Sequence, residues 1–474
     1  MPDPATCERA RLARDRRFDG RFFIAVRTTR IYCRPICPVR PARPENVHFF
    51  PSAAAAASAG YRPCLRCRPE AAPGSPAWRG SAASVSRGLA LINRGFLDEH
   101  SVDALADTLG LGSRHLTRLF VRHVGATPAA LAATRRIHLA KTLIDQTGLA
   151  MTEIAFAAGF GSIRRFNTVF RSVYGRSPST LRRRPPPATA TEGTTLRLAY
   201  RPPYRWATMA AFLQAEAIPG VEVVDAAGYR RTIRVGVHAG RLAVRPLADD
   251  GGLLLTLSLP DHGALTVVVE RVRTMFDLSV DPATVREHLL RHLPRAAATD
   301  LDGLRLPGAW DGFEAAAHAV LARHLGHAAA SAALGRIAVA LGTRLADGIA
   351  PDRLFPTAEG LADAGPAATG LPAAPAADLR RLAAATAVGR IRFDPAVGHA
   401  ALAAALAEAG GLDATAASWV AMRTLGEPDV DPRTLFPTPP RGARTLLAQA
   451  AALRPWGSYA ALALGTAPTR SEAA

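Results

Sequence analysis

Apolar side chains between residues 82 and 184 recur at the three- and four-residue spacing that places them on one face of a helix. The first periodic stretch stops at Gly110, and Ser113 follows where it can cap a second helix. The plan repeats beyond residue 150, with a turn at Gly159–Gly161 and a helix from Ser162, and the apolar segment Ala129–Leu143 connects the two units. This pattern predicts two helix-turn-helix units on a connecting helix, and the alternative is a plain helical bundle with solvated arginines. The periodic apolar positions are Val102, Leu105, Ala106, Leu109, Leu116, Leu119, Phe120, Ile154, Ala155 and Ala158.

The pattern changes beyond residue 195. Residues 196–235 predict a strand, a helix and two strands in that order, and the segments LLLTLSLP and ALTVVVERVRTMFDL predict further strands and then a helix. Segments with linker character lie at Glu70–Ser81, at Arg182–Thr195 and near Arg295–Leu304. They divide the 474 residues into predicted domains at 1–75, 82–184, 194–298 and 299–474, so the fold class is multidomain α+β.

The positive charge is concentrated in one part of the chain. The formal net charge is +19, and residues 1–190 hold 30 basic and 12 acidic residues. Affinity for nucleic acid through neutralisation of phosphates therefore belongs mainly to these 190 residues, and double-stranded DNA is the expected partner. No apolar run reaches the roughly 18 residues needed to span a membrane. We expect a soluble, cytoplasmic protein with no membrane partner.

Four cysteines form two short pairs near the N-terminus, Cys33 with Cys37 and Cys64 with Cys67. Each short loop can turn two sulfurs toward one point, which suits a single tetrahedral Zn²⁺ ion. Two disulfides or four unrelated core cysteines are the alternatives, and the charged N-terminus without a secretory signal argues against them. The fifth cysteine, Cys7, is expected to be a buried or spare thiol.

The segment Phe22–Cys67 resembles the N-terminal domain of the Ada methylation-response proteins of bacteria. The resemblance implies a small α/β domain with one zinc ion that is both structural and catalytic. It implies that Cys33, in the motif YCRPIC, accepts a methyl group from a methyl phosphotriester of DNA, stoichiometrically. Arg30 departs from the family, which usually has glycine there. The residues of this domain expected to contact DNA are Thr29, Arg30, Arg34, Arg40 and Arg62.

The helix-turn-helix segment resembles the AraC-type DNA-binding domain. The resemblance rests on the pattern Gly159, Phe160, Ser162, Phe166 and Phe170. It implies an all-α domain that reads a promoter in the major groove and activates transcription with RNA polymerase as a partner. The residues expected to face DNA are Ser113, Arg114, His115, Arg118, Ser162, Arg164, Arg165 and Asn167.

The C-terminal half resembles the AlkA-type 3-methyladenine DNA glycosylases. Residues 196–293 are similar to the small α/β domain that opens those enzymes, and the remainder is similar to their all-α helix-hairpin-helix domain. Three segments carry the second resemblance: an opening helix at Leu306–Leu321, then Trp419–Val430 and Arg454–Leu464.

This half departs from the family at its chemical positions. The family's catalytic aspartate falls on Leu435, or on Thr434 with a slip of one residue, and the nearest carboxylates are Asp429 and Asp431. Asp413 replaces a hairpin glycine, and residues 323–326 read Arg-His-Leu-Gly where the family has Gln-Gln-Val-Ser. The region contains no lysine, so a Schiff-base route is closed. We expect base excision to be lost or strongly weakened; the opposing interpretation gives the carboxylate role to Asp431 through a shifted loop.

Five histidines of this half lack cysteine or carboxylate partners at a fixed spacing, so we expect surface or groove residues rather than a second metal site. They are His288, His292, His318, His324 and His327. The leading functional hypothesis is a sensor of DNA alkylation that repairs methyl phosphotriesters and activates repair genes, fused to a domain that recognises or excises alkylated bases. One alternative is an active 3-methyladenine glycosylase that the N-terminal half delivers to DNA. Another is a non-enzymatic AraC-type regulator with a structural zinc.

Overall fold

The computed structural model describes residues 1–69, 72, 83–182, 193–248, 251–293, 301–435 and 450–464. The linkers expected at Glu70–Ser81, Arg182–Thr195 and Arg295–Leu304 lie largely outside these residues. Within the described ranges, no helix combines the length and the apolar character that a membrane span requires. The predicted multidomain α+β class is confirmed for the part of the chain described.

The N-terminal unit is a four-stranded sheet in the order β3-β1-β2-β4. Because side chains alternate along a strand, Phe23 and Ala25 face the alanine helix α2 while Phe22 and Ile24 face α1. Ser52 caps α2 by accepting a hydrogen bond from the Ala55 N–H. The elements are α1 (Pro4–Leu12), β1 (Phe23–Val26), β2 (Ile31–Cys33), β3 (Val47–Phe50), α2 (Ala53–Ser58) and β4 (Arg62–Pro63).

The second unit is all-α, with two helix-turn-helix arrangements on the connecting helix α7, as predicted. Ser162 caps α9 as expected, its Oγ accepting from the Arg165 N–H at 3.2 Å. The predicted cap at Ser113 is wrong: Gly112 holds the cap position, and the Ser113 hydroxyl donates instead to Asp103. The helices are α3 (Ala83–Asn93), α4 (Phe96–Glu99), α5 (Val102–Thr108), α6 (Ser113–Val124), α7 (Pro128–Gln146), α8 (Met151–Ala157), α9 (Ile163–Tyr174) and α10 (Pro178–Leu181).

The third unit is an antiparallel sheet in the order β5-β9-β8-β7-β6, covered by helices. The predicted strand, helix, strand, strand order from residue 196 is confirmed, and β8 is a strand that the sequence analysis did not single out. The elements are β5 (Thr194–Ala199), α11 (Trp206–Glu216), β6 (Glu222–Asp225), β7 (Gly228–Val235), β8 (His238–Pro246), β9 (Gly252–Ser258), α12 (Leu265–Met275) and α13 (Pro282–His292).

The fourth unit is helical where it is described. Its opening helix starts later than predicted, at Gly312 instead of Leu306, because Asp311 caps it by accepting from the N–H groups of Phe313 and Glu314. Helices α18 and α19 flank a short turn, which is the expected helix-hairpin-helix. The helices are α14 (Gly312–Leu325), α15 (His327–Leu341), α16 (Ala358–Asp363), α17 (Ala373–Ala387), α18 (His399–Glu408), α19 (Ala414–Leu425) and α20 (Gly457–Ala463).

The units share buried surface rather than standing apart. One hydrophobic cluster runs from the second helix-turn-helix unit, with Phe166 and Phe170, into the sheet of the third unit, with Leu196 and Leu255. Burial of such apolar surface is the main term that holds elements together. Continuity of this cluster therefore fixes the helix-turn-helix domain on the C-terminal half.

Candidate zinc centre and DNA-facing surfaces

Strand pairing brings the two cysteine pairs together. Cys33 ends β2, and the parallel pairing of β2 with β4 continues into a hydrogen bond from the Cys64 N–H to the Tyr32 carbonyl at 2.9 Å. One sulfur from each of Cys33, Cys37, Cys64 and Cys67 lies within 4.8 Å of the other three. Sulfurs around a tetrahedral zinc ion lie about 3.8 Å apart, so the donor set fits that ion. All five cysteines are free thiols, so the disulfide alternative is wrong.

The cluster is only partly open to solvent. Cys64 and Cys67 are buried, whereas Cys33 and Cys37 are partly exposed. Mutual hydrogen bonding raises the pKa of the Cys33 thiol, first through Cys37 and then through Cys64. The Arg34 N–H also donates to the Cys67 sulfur at 3.3 Å. Sulfurs that compete for protons in this way need a cation to become thiolates together, and Cys33 is a ligand that an outside group can reach.

Cys7 is not one of the four clustered sulfurs and is completely buried. Burial raises the pKa of its thiol to about 11, so it stays protonated at neutral pH. A protonated, enclosed thiol is a poor nucleophile. The expectation that Cys7 is buried is confirmed.

Arg34 is held inside the protein rather than presented to solvent. Its Nε donates to Asp19 Oδ1 at 2.8 Å, and its Nη1 donates to the Cys67 carbonyl at 3.1 Å. The side chain is only 12% exposed. Arg34 therefore ties the second cysteine pair to the loop at Asp19, a role that its position in the sequence did not indicate.

Arg30 stands where the related family has glycine, and its backbone explains the preference. Its φ of 55° lies in the left-handed region, which favours glycine. Two contacts offset this strain: Nη2 donates to the Ala59 carbonyl at 3.1 Å, and the guanidinium lies 4.5 Å from the centre of the Tyr61 ring. These contacts explain how arginine fits a position where the family usually has glycine.

The remaining predicted DNA contacts of this unit are at the surface. Thr29, Arg40 and Arg62 are exposed. Arg66, between the second pair of cysteines, is exposed as well, and the sequence analysis missed it although the CLRC motif contains it. These side chains give the surface around the sulfur cluster a positive charge suited to phosphates.

The helix-turn-helix residues divide into exposed and structural ones. Arg114, His115 and Arg118 are exposed on α6, with His115 Nδ1 3.0 Å from Arg118 Nη2. Arg164 and Arg165 are exposed on α9 and Asn167 is partly exposed, while Ser113 and Ser162 hold the turn and the cap described above. Sequence reasoning missed the exposed Arg122 and Arg171, which are the next arginines along α6 and α9.

The sulfur-cluster domain contacts the connecting helix α7 directly. Tyr32 Oη lies 2.9 Å from His138 Nε2, and Arg68 pairs with Asp145 at 2.8 Å. Burial lowers the pKa of His138 to about 4, so its ring is neutral at pH 7. Tyr32 immediately precedes Cys33, so this contact lies next in the chain to a partly exposed sulfur.

The position of the expected glycosylase carboxylate is apolar. Leu435 is 3% exposed and packs in a cluster with Trp419, Met422 and Val430. Asp431 lies at the surface, where Arg433 Nε is 3.0 Å from each of its carboxylate oxygens and lowers its pKa.

The other carboxylate and the hairpin are also engaged. Asp429 pairs with Arg454 at 2.8 Å. Asp413 is the N-cap of α19 and accepts from the Ala416 N–H at 2.8 Å. Arg323 and His324 converge on Asp378, with His324 Nε2 at 2.8 Å, and Arg323 also donates to the Gly411 carbonyl of the hairpin. The substituted residues thus form a local ionic network beside the hairpin.

The expectation of surface or groove histidines holds only in part. His324 is exposed, but His318 is 6% exposed inside the fourth unit, and the ring of His327 lies beside it at 5.6 Å between centroids. Glu216, in the third unit, places a carboxylate oxygen within 4.8 Å of a ring nitrogen of each histidine. The sequence did not indicate this contact, because Glu216 belongs to another domain.

Three family descriptions match successive parts of the chain. They are "Metal binding domain of Ada" at residues 6–70, "Helix-turn-helix domain" at residues 105–184 and "AlkA N-terminal domain" at residues 195–311. The predicted order of a metal-binding, a helix-turn-helix and an AlkA-like domain is confirmed.

Relatives cover the whole chain or parts of it. A Mycobacterium tuberculosis protein named "Probable bifunctional transcriptional activator/DNA repair enzyme AlkA" is 38% identical over 475 residues, which span 97% of this chain and 95% of that protein. The Bacillus subtilis "Bifunctional transcriptional activator/DNA repair enzyme AdaA" is 32% identical over 170 residues, 35% of this chain and 77% of that protein. The Escherichia coli "DNA-3-methyladenine glycosylase 2" is 33% identical over 172 residues, 36% of this chain and 58% of that protein.

Proposed function

The chain belongs to the family of bifunctional transcriptional activator/DNA repair enzymes, and from this we propose that Cys33 takes methyl groups from methyl phosphotriesters of DNA and thereby switches on repair genes. The observation that carries the proposal is the four-sulfur cluster, in which Cys33 is partly exposed at the end of β2. Exposed arginines lie close to the cysteines in the chain, Arg40 after Cys37 and Arg66 between Cys64 and Cys67, and they suit a phosphate backbone. DNA is the macromolecular partner.

The transfer is a displacement at carbon. The Cys33 sulfur attacks the methyl carbon, a sulfur–carbon bond forms, and the carbon–oxygen bond to phosphate breaks. The bonding electrons stay on the phosphate oxygen, which restores an anionic phosphodiester. One Zn²⁺ held by Cys33, Cys37, Cys64 and Cys67 would keep the sulfurs deprotonated and so nucleophilic at neutral pH. The product is a thioether, and no group in the site reverses it, so each chain acts once.

Methylation also changes the charge that faces DNA. An anionic sulfur becomes a neutral thioether, so the cluster loses one negative charge. Its electrostatic repulsion of nearby phosphates therefore becomes weaker. Affinity for DNA then rises, and the rise is larger at low salt. We propose that the DNA-facing set is Thr29, Arg30, Arg40, Arg62, Arg66, Arg114, His115, Arg118, Arg122, Arg164, Arg165, Asn167 and Arg171.

The decisive experiment follows a labelled methyl group. Purified zinc-loaded protein is incubated with DNA carrying methyl phosphotriesters, and tandem mass spectrometry locates the added mass within residues 31–40, which contain both Cys33 and Cys37. We expect the label on Cys33 in the wild type and none on Cys33→Ser. Cys7→Ser is the matched control and keeps full transfer. A label on Cys37, or transfer by Cys33→Ser, contradicts the assignment.

For the C-terminal half we propose recognition of alkylated DNA with base excision lost or strongly weakened. The supporting observation is the buried Leu435 at the position where the family has its carboxylate. A working glycosylase is the second candidate, favoured by the relationship to DNA-3-methyladenine glycosylase 2 and by the nearby Asp431. Release of free methylated base from alkylated DNA, measured by chromatography, decides between them. We also propose RNA polymerase as the transcriptional partner and the bacterial cytoplasm as the location.

A further inference from the structure

A partly buried polar cluster lies where the third and fourth units meet, far from the four cysteines in sequence. Glu216 is the last residue of α11, His318 lies in the middle of α14, and His327 is the first residue of α15. We propose that these three residues form a second metal site, which binds a divalent transition metal such as Zn²⁺ and joins the AlkA-like α/β domain to the helical domain.

The donor geometry supports two imidazoles and one carboxylate around one ion. One ligand atom from each residue lies within 4.8 Å of the other two. Ligand atoms of a four-coordinate zinc lie about 3.3 Å apart, a spacing that small side-chain rotations reach from this arrangement. Two histidines and one glutamate form a common zinc donor set with a fourth position left for water.

Neighbouring groups orient two of the three ligands. His318 Nε2 lies 3.0 Å from Ser331 Oγ, which fixes the ring and leaves Nδ1 for a metal. Arg423 pairs with one oxygen of Glu216, and its Nε donates to the Pro307 carbonyl at 3.1 Å. Such outer contacts are typical of built metal sites, because they hold a ligand in one orientation and one tautomer.

The third ligand has a nitrogen that needs a partner. His327 Nδ1 is buried and has no hydrogen-bond partner among the described residues. Buried polar atoms in folded proteins are almost always bonded, and an exception calls for an ion or a water. A metal at this site would supply the missing interaction.

The surrounding charge also favours a cation. A cavity of about 40 Å³ at the same interface is lined by more carboxylates than guanidinium groups. Its acidic residues are Glu216, Glu222, Asp311 and Glu314, and its basic residues are Arg231 and Arg423. Burial raises the pKa of Glu314 to about 7, although Arg231 donates to both of its carboxylate oxygens. A divalent ion next to Glu216 would offset the excess negative charge.

The test counts zinc by its chemical type in the full-length protein. The protein is equilibrated with ZnCl₂, loosely bound ions are removed on a chelating resin, and zinc is measured before and after a thiol-specific organomercurial. The mercurial displaces zinc held by cysteine sulfurs and leaves zinc held by nitrogen and oxygen. We expect two equivalents in the wild type, of which one resists the mercurial.

Variants assign the resistant zinc. Glu216→Gln and His327→Gln are expected to lose it and keep the mercurial-sensitive equivalent, while His324→Ala, on the exposed side of the same helix as His318, keeps both. Resistant zinc that persists in both Gln variants would overturn the proposal, as would a wild type without resistant zinc. The wild-type count decides even if a variant does not fold, and neither outcome depends on methyl transfer to Cys33.

Discussion

The hydrogen bond between Tyr32 and His138 is one of the contacts, with the Arg68–Asp145 ion pair, through which a change at the sulfur cluster would reach the helix-turn-helix domain. Tyr32 is 1% exposed, and its hydroxyl lies 2.9 Å from His138 Nε2. Because burial lowers the pKa of His138 to about 4, the ring is neutral at pH 7.5, and its Nε2 shares one hydrogen bond with the phenol hydroxyl. Tyr32→Phe leaves the imidazole nitrogen without its partner.

The expected cost follows from the surroundings of the ring. A buried hydrogen-bonding atom that loses its partner lowers the free energy of unfolding by about 1–3 kcal/mol. His138 also lines two cavities, of about 260 and 370 Å³, from which water can reach it. We therefore expect the lower end, about 1 kcal/mol, which corresponds to about a fivefold increase in local opening. A double variant, Tyr32→Phe with His138→Leu, should recover much of this, because replacing both partners by apolar groups removes the unsatisfied atom.

Hydrogen exchange measures this opening directly. Amides of β2 and of α7 around His138 should exchange about fivefold faster in Tyr32→Phe, while amides of α14 should not change. Zinc content and methyl transfer should match the wild type, but the gain in DNA affinity on methylation should shrink. Tyr61→Phe is the matched control, since Tyr61 lines the same 370 Å³ cavity and no hydrogen bond of its hydroxyl is among the contacts described. Wild-type exchange and a wild-type affinity gain in Tyr32→Phe would refute this route.

Three further variants test other parts of the molecule. Asp413→Asn should keep the helix cap and, because it removes a negative charge, raise DNA affinity at low salt. Asp413→Ala should lose the cap and lower the free energy of unfolding by about 1 kcal/mol. Urea unfolding measures the first role, and DNA-binding titrations at several salt concentrations measure the second. Asp431→Asn should leave base release unchanged, and a loss of release, measured by chromatography, would give Asp431 the catalytic role. Arg30→Gly should relieve the strained φ, stay within about 1 kcal/mol of wild-type stability, and reduce the slope of log affinity against log salt by about 0.9.

Local patterns were predictable from the sequence, and partners from distant segments were not. The cysteine cluster could be predicted because each pair is set by a loop of a few residues. The start of α14 was also predictable, since Asp311 is a capping residue. The predicted start at Leu306 was wrong because it followed the family resemblance instead of the cap. The predicted cap at Ser113 was wrong for a different reason: the Ser113 hydroxyl donates to Asp103, in the preceding helix. The position of the Glu216 carboxylate beside His318 could not be predicted from the sequence, because it depends on how two domains pack together.

The same limit applies to the loop at Asp19, which connects the residues around Cys33 to the C-terminal half. Arg34, next to Cys33, binds the Asp19 carboxylate, and the completely buried Arg201 of the third unit donates its Nε to the Asp19 carbonyl at 2.8 Å. Burial lowers the pKa of Arg201 to about 10, so its guanidinium remains charged at neutral pH. A buried charge needs hydrogen-bond partners, and the Asp19 carbonyl is one of them. Arg21 adds an ion pair to Asp281 at 3.1 Å. The AlkA-like half therefore supports the geometry around Cys33 through its packing alone, and that role holds whether or not the half excises bases.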